Sequence, residues 1–405
     1  MVSAILIIGL LIGFGMALAI GANDVANSMA TAVGAKAITP KQAVVIAGVL
    51  EFVGATFFGK QVTDTIRKGI LHLDILADPK LVIWGSMAAL LGATIWLAIA
   101  TYKSWPVSTT HSIVGGMVGY GIAAGGLAVV NWSKIITITL SWIISPLVGL
   151  AVSFAMFKAI SATILHSKNI KKNSKIWIPF FLGLAAFIIG LSFIVKTLHI
   201  PITFKAILYA ILFGIFMSLI IMIYIIIKLK NVSDDPYVYV EEIFRKSQVV
   251  TSCYVALAHG ANDVANAIGP VAAIYAAVVT GTVGAKAEIP RYILALGGLG
   301  IAIGVAIWGS RVMKTVGTEI TELNNSRGFA IDFSTATTVL LASNMGMPIS
   351  TTHTVVGSVI GNGLARGTGS INLGVIKDIF VSWFLTVPAA AIVSYILFKV
   401  FALFF

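Results

Sequence analysis

Apolar runs of about 20 residues or more, long enough to cross a hydrocarbon core of ~30 Å, begin near Val2, Gln42, Leu81, Lys134, Trp177, Phe204, Val249, Tyr292 and Ile376. Two further stretches, near 105–130 and 334–365, are apolar but interrupted by Gly, Pro, Ser and Thr. The pattern predicts an all-α polytopic membrane protein with about ten to twelve membrane segments, some of them discontinuous. The first run, from Val2 to Ala35, exceeds one straight crossing at about 1.5 Å per residue. Gly21, Asn23 and Asp24 predict a break near its middle, and residues 249–281 repeat the arrangement around Gly260, Asn262 and Asp263. Each interrupted stretch is too short for two crossings, which predicts re-entrant hairpins with tips near the membrane midplane.

Composition agrees with a membrane chain: 58% of residues are hydrophobic and 10% charged, against roughly 25% charged in soluble domains. The formal charge of +12 would suggest nucleic acid in a soluble protein. Here the basic residues sit between apolar runs, as topology signals do. Lys168, Lys171 and Lys172 lie between Lys158 and Lys175 with no acid among them, which places that loop in the cytoplasm. The mixed-charge loop from Lys228 to Lys246 lies two spans later and is expected on the same side. Ala17, Leu18 and Ala19 resemble a signal-peptide cleavage site, but no Lys or Arg precedes the apolar run, so the segment is expected to be retained. Cys253 is the single cysteine, which excludes a disulfide framework or a thiolate cluster within the chain.

Polar positions inside the apolar runs repeat. GANDVANSMA at 21–30 recurs as GANDVANAIG at 260–269, and PVSTTHSIVGGMVGYG at 106–121 recurs as PISTTHTVVGSVIGNG at 348–363. Shared hydrophobicity would not preserve Asn, Asp and His in the same order, so the chain divides into two homologous halves. The expected division is a repeat at 1–158, two linking spans with a charged loop at 159–246, and a second, inverted repeat at 247–405, an arrangement seen in secondary transporters with interrupted helices. In such proteins the substrate site lies at the repeat interface near the midplane.

The repeated residues suggest a chemistry. Asp24, Glu51 and Asp263 are the acids placed well inside apolar runs, and a charge near the bilayer centre costs at least about 2.5–3.5 kcal/mol on insertion scales. Neither motif carries a Lys or Arg, which makes a bound cation the expected partner. Carboxylates and carbonyls suit a hard cation such as sodium. Pro106 followed by Ser108, Thr109, Thr110 and His111, with Pro348 followed by Ser350, Thr351, Thr352 and His353, sets hydroxyls before helix-like runs, as an N-cap facing an anion would. Acids without basic residues repel an oxyanion unless a cation accompanies it, so the pattern suggests cation-coupled anion uptake. Gly115 with Gly119, and Gly357 with Gly361, are expected to let helices pack closely. His259 stands opposite Ile20 and is read as structural. Aligning the halves sets Glu51 opposite Gly300, so Glu51 is expected to act on one side only.

The doubled GANDVAN and the P[VI]STTH that follows each copy resemble the inorganic phosphate transporter (PiT) family, over nearly the whole chain. The resemblance implies symport of inorganic phosphate driven by a sodium or proton gradient, by alternating access between two inverted repeats. It implies phosphate at Asn23, Ser108, Thr109, Thr110, Asn262, Ser350, Thr351 and Thr352, and sodium at Asp24, Asn27, Asp263 and Asn266. Glu51, His111 and His353 are expected to serve coupling or gating. The expected ligands are phosphate and co-transported sodium, with no organic cofactor. The expected surroundings are the lipid bilayer of a prokaryotic inner membrane; a homo-oligomer is compatible with the sequence, and nucleic acid is not a partner. Rivals are proton-coupled phosphate or metal-phosphate symport, a sulfate permease, an ion channel and, least favoured, a membrane enzyme.

Overall fold

The computed structural model describes residues 2–72, 76, 78–103, 105, 107–198, 200–229, 233–283, 289–318, 323–367 and 373–404; Pro106 lies outside them. The chain forms α1 (Val2–Gly34), α2 (Pro40–Phe58), α3 (Lys60–Gly69), α4 (Pro79–Tyr102), α5 (Thr109–Gly125), α6 (Trp132–Ile160) and α7 (Ile170–Lys196). It continues through α8 (Phe204–Lys228), α9 (Pro236–Thr280), α10 (Arg291–Thr318), α11 (Asn325–Asn344), α12 (Thr351–Arg366) and α13 (Leu373–Phe401). Nine helices among the described residues are long and apolar enough to cross a membrane; α3, α5, α11 and α12 are shorter or more polar.

Local chemistry sets many of the helix starts. Thr39 forms a reciprocal capping box with Gln42 before α2, and Asp78, Asn131, Asp235 and Asn324 cap α4, α6, α9 and α11 through their side chains. Ser108 and Ser350 do the same for α5 and α12, each accepting the backbone N–H of the His three residues on at 3.2 Å. The shared STTH sequence therefore starts the same helix twice.

Packing between the halves is reciprocal. α1 lies along α10 as α9 lies along α2, α5 lies on α13 as α12 lies on α6, and α4 and α11 pair with α13 and α6 in turn. This exchange is the one expected of two homologous repeats. The four glycines read as packing positions behave so: Gly115 and Gly119 meet the backbone of Val387 and Ala391 on α13, and Gly357 and Gly361 meet Pro146 and Leu150 on α6.

Two expectations need correction. The breaks predicted at Gly21 and Gly260 are absent: α1 and α9 pass through both motifs as continuous helices. A Cβ at Gly21 would collide with the backbone of Ile301 on α10, and one at Gly260 with the backbone of Glu51 on α2. These glycines bring helix axes together, and the Asn and Asp side chains beside them bond to other helices instead of unwinding their own. The same pairing makes Ile301 the structural counterpart of Glu51, one residue beyond Gly300. The second correction concerns the hairpins. The stretch 334–365 does contain a tight turn, between α11 and α12, but in the first half the partner of α5 is the 24-residue α4, not a segment within 105–130.

Gly260→Val forces rigid backbone apart, since no flexible side chain can yield. It is expected to cost about 1–3 kcal/mol, as overpacking does, seen as a lower unfolding midpoint of the purified protein. A wild-type midpoint would contradict the close α2–α9 packing.

Candidate substrate and cation site

The two turns before α5 and α12 meet between α1 and α9. Thr110 Oγ1 donates to the Ile349 carbonyl at 3.0 Å, and Thr352 Oγ1 reaches the Val107 carbonyl at 3.4 Å, so each turn holds the other. Asn23 Nδ2 donates to Thr101 Oγ1 at 2.8 Å on the last turn of α4, and Ser343 Oγ on the last turn of α11 reaches Asn262 Oδ1 at 3.4 Å. Each GANDVAN helix thus grips the end of its own hairpin.

The carboxylates follow the same symmetry. Thr109 Oγ1 donates to Asp24 Oδ2 at 2.7 Å, and Thr351 Oγ1 to Asp263 Oδ2 at 2.8 Å. The second asparagines cross between halves: Asn27 Nδ2 donates to Thr352 Oγ1 at 2.9 Å, while Asn266 Nδ2 reaches Thr109 and Thr110 Oγ1, both at 3.2 Å. Asn266 and Asn262 also donate to Asp263 Oδ1, at 2.8 and 3.1 Å. All of these side chains are buried. Asp24 Oδ1 and Asn266 Oδ1 have no hydrogen-bond partner, which leaves two buried oxygens able to serve a cation.

Nearly all the residues singled out in the sequence therefore gather in one place. Ser108 and Ser350 lie at the same turns with their oxygens accepting the helix-cap bonds. Asn23 faces α4. His111 and His353 follow Thr110 and Thr352 directly and touch at 4.4 Å between ring centroids; His111 lies against Trp142 at 3.7 Å and His353 against Trp383 at 3.4 Å. The imidazoles and indoles form a buried stack joining α5, α6, α12 and α13.

His259 was missed. Its Nε2 lies 2.9 Å from Asp263 Oδ2 and 3.8 Å from Asp24 Oδ2, and its Nδ1 lies 3.1 Å from Glu51 Oε1. Glu51 Oε1 also accepts from Ser28 Oγ at 3.0 Å. The site thus has a nitrogen partner within the chain, although neither motif carries Lys or Arg. The signal was the position of His259 directly before the second GANDVAN, but Ile20 in the first half made it look incidental. Asp24, His259 and Asp263 offer ligand atoms within 4.8 Å of one another.

The ensemble combines two helix N-termini, where first-turn N–H groups lack intrahelical acceptors, with two carboxylates and a set of amide and hydroxyl groups. Such a set has donors suited to an anion and oxygens suited to hard cations within one buried cluster.

The family model described as the phosphate transporter family matches residues 20–394. A chain provisionally named a phosphate permease in Pyrococcus horikoshii is 61% identical over 98% of this chain and 97% of its own length. The inorganic phosphate transporter 2-1, chloroplastic, of Arabidopsis thaliana is 40% identical over 96% of this chain and 70% of its own. A solved structure described as the sodium-dependent phosphate transporter superposes with a TM-score of 0.96 at 51% identity, covering 99% of this chain and 100% of that one.

Proposed function

Because this chain belongs to the phosphate transporter family, a family of permeases and not of enzymes, we propose that it imports inorganic phosphate by sodium-coupled symport through alternating access. The observation that carries this reading is the mirrored pair of Thr–Asp bonds at the meeting hairpin turns, Thr109 to Asp24 and Thr351 to Asp263. The amides and hydroxyls at the starts of α5 and α12 receive phosphate, and Asp24 and Asp263 with Asn27 and Asn266 receive sodium.

Charge gives the coupling its logic. A buried pair of carboxylates repels a phosphate anion in a medium of low effective dielectric. Sodium at each Asp offsets that repulsion and leaves a load whose net charge permits passage through the membrane interior. Phosphate can also donate hydrogen bonds, which sulfate cannot, and carboxylate acceptors at the site favour phosphate accordingly. The reciprocal packing supports alternating access: with the hairpin turns in opposite repeats, proposed at 1–158 and 247–405, movement of one repeat against the other opens the site to one side at a time. The expected location is the inner membrane of a prokaryotic cell.

The test is phosphate uptake into proteoliposomes under an imposed inward sodium gradient or proton gradient, with sulfate as competitor. Accumulation under sodium alone, undiminished by sulfate, is expected. Uptake driven only by protons would turn Asp24 and Asp263 into proton carriers, and no accumulation under either gradient would rule out symport.

A further inference from the structure

Away from the site, a crevice of about 230 Å³ lies between α2, α7, α8 and α9, with Leu50, Ala186, Phe213 and Cys253 each contributed by a different one of these helices. Leu182, Ala185 and Tyr254 form its buried floor, whereas Phe213 and Val250 at its mouth are 42% and 49% exposed. The crevice therefore opens sideways from the helix bundle. Its two hydroxyls are turned to other partners: Thr251 Oγ1 donates to the Gln248 carbonyl at 3.1 Å, and the Tyr254 hydroxyl reaches Thr337 Oγ1 at 3.4 Å. A polar ligand would lose its hydrogen bonds to water there and gain none. A hydrocarbon chain loses nothing.

The pattern of exposure along α9 fixes the depth of the crevice. Between Lys246 and the second GANDVAN, the positions of α9 that are not buried are Val249, Val250, Cys253 and Leu257, which share one helix face. Across from them α7 presents Ala185 and Ala186, too short to fill the gap, and α8 packs chiefly on α7. Measured along α9 from Asp263, Leu257 is about 9 Å away, Val250 about 20 Å and Lys246 about 25 Å. With Asp263 near the midplane of a ~30 Å hydrocarbon core, the crevice stands at the level of one leaflet's chains and Lys246 at its head groups. That leaflet is the one on the side of the loop from Lys228 to Lys246, expected in the cytoplasm. Lys246 is exposed, and no carboxylate among the described residues forms an ion pair with it. The nearby Glu242 is taken by two bonds from Arg245.

We propose that the crevice binds one anionic membrane lipid of the cytoplasmic leaflet, with a hydrocarbon chain in the space beneath Val250 and the head-group phosphate at Lys246. Chain burial supplies the affinity and the lysine the preference for negative charge. The chain fills the gap between the α7–α8 pair and the α2–α9 pair. Leu50 precedes Glu51 and Leu257 lies two residues before His259, so the lipid braces the helices that hold the Glu51–His259 contact.

The experiment is native mass spectrometry of the delipidated full-length protein, titrated with palmitoyl-oleoyl phosphatidylglycerol or with the corresponding phosphatidylcholine. One phosphatidylglycerol per chain is expected to bind ahead of the weaker adducts, and ahead of phosphatidylcholine. Lys246→Gln is expected to weaken phosphatidylglycerol about fivefold, the usual share of one lysine at an anionic surface, and to leave phosphatidylcholine unchanged. Ala186→Phe places a ring in the crevice and is expected to abolish the first adduct. Cys253→Phe fills the same space from the opposite wall and decides the matter if Ala186→Phe fails to fold. A first adduct that survives in both filled variants overturns the site, as does equal affinity for the two head groups. A lipid-free dimer also overturns it and gives this face to a second copy of the chain.

Discussion

Asp263→Asn is expected to reduce sodium-driven phosphate uptake by about 100-fold or more, some 2.7 kcal/mol of lost function at 1.36 kcal/mol per tenfold, in a protein that still folds. Asp263 accepts bonds from Thr351, Asn262 and Asn266 and lies against His259. An amide keeps the shape and part of that bonding but removes the negative charge that holds a cation. The loss should therefore appear in transport and sodium binding, with the size-exclusion profile and unfolding midpoint near wild type. Asp24→Asn, its mirror, is expected to behave alike. Full uptake by both variants would exclude cation binding at this pair.

The second large effect concerns stability. His259→Leu removes the ring that stands between Glu51, Asp263 and Asp24. Breaking a buried charge-bearing contact by deleting one partner costs about 3–5 kcal/mol, because the remaining groups stay buried without compensation. A marked fall in the unfolding midpoint of purified protein is expected, with partial recovery when Glu51→Gln is added, since the double variant removes one of the stranded carboxylates. A wild-type midpoint for His259→Leu would show that the carboxylates find other partners.

The residues behind the two predictions differ in how far the sequence displays them. Asp24, Asp263 and the Ser-Thr-Thr runs were legible because duplication preserved them against an apolar background in which polar side chains are expensive. The meeting of α1, α9 and the two hairpin turns followed from the same repetition. His259 was not legible because it occurs in one half only, and a lone histidine on an apolar helix ordinarily reads as packing.

Gly21 and Gly260 show a different limit. A glycine beside Asn and Asp in a long apolar run is equally suited to a helix break and to a close helix crossing. The choice depends on the helix that lies across it, and for Gly21 that is α10, some 280 positions later in the chain. The two broken helices were therefore wrong in backbone while the polar residues they were meant to present are in place, carried on continuous helices. Similarly, α4 read as an ordinary span because its composition is apolar, yet its last turn bonds Asn23 through Thr101 and frames the first hairpin turn.

The central claim is that sodium and phosphate bind to one another's advantage at the meeting hairpin turns. Phosphate affinity of the purified protein, measured by calorimetric titration at a series of sodium concentrations with ionic strength held constant by choline, tests it most directly. The account predicts that affinity rises steeply with sodium, and that phosphate tightens sodium binding by the same factor, as linkage requires. Phosphate binding of equal strength with and without sodium would contradict it.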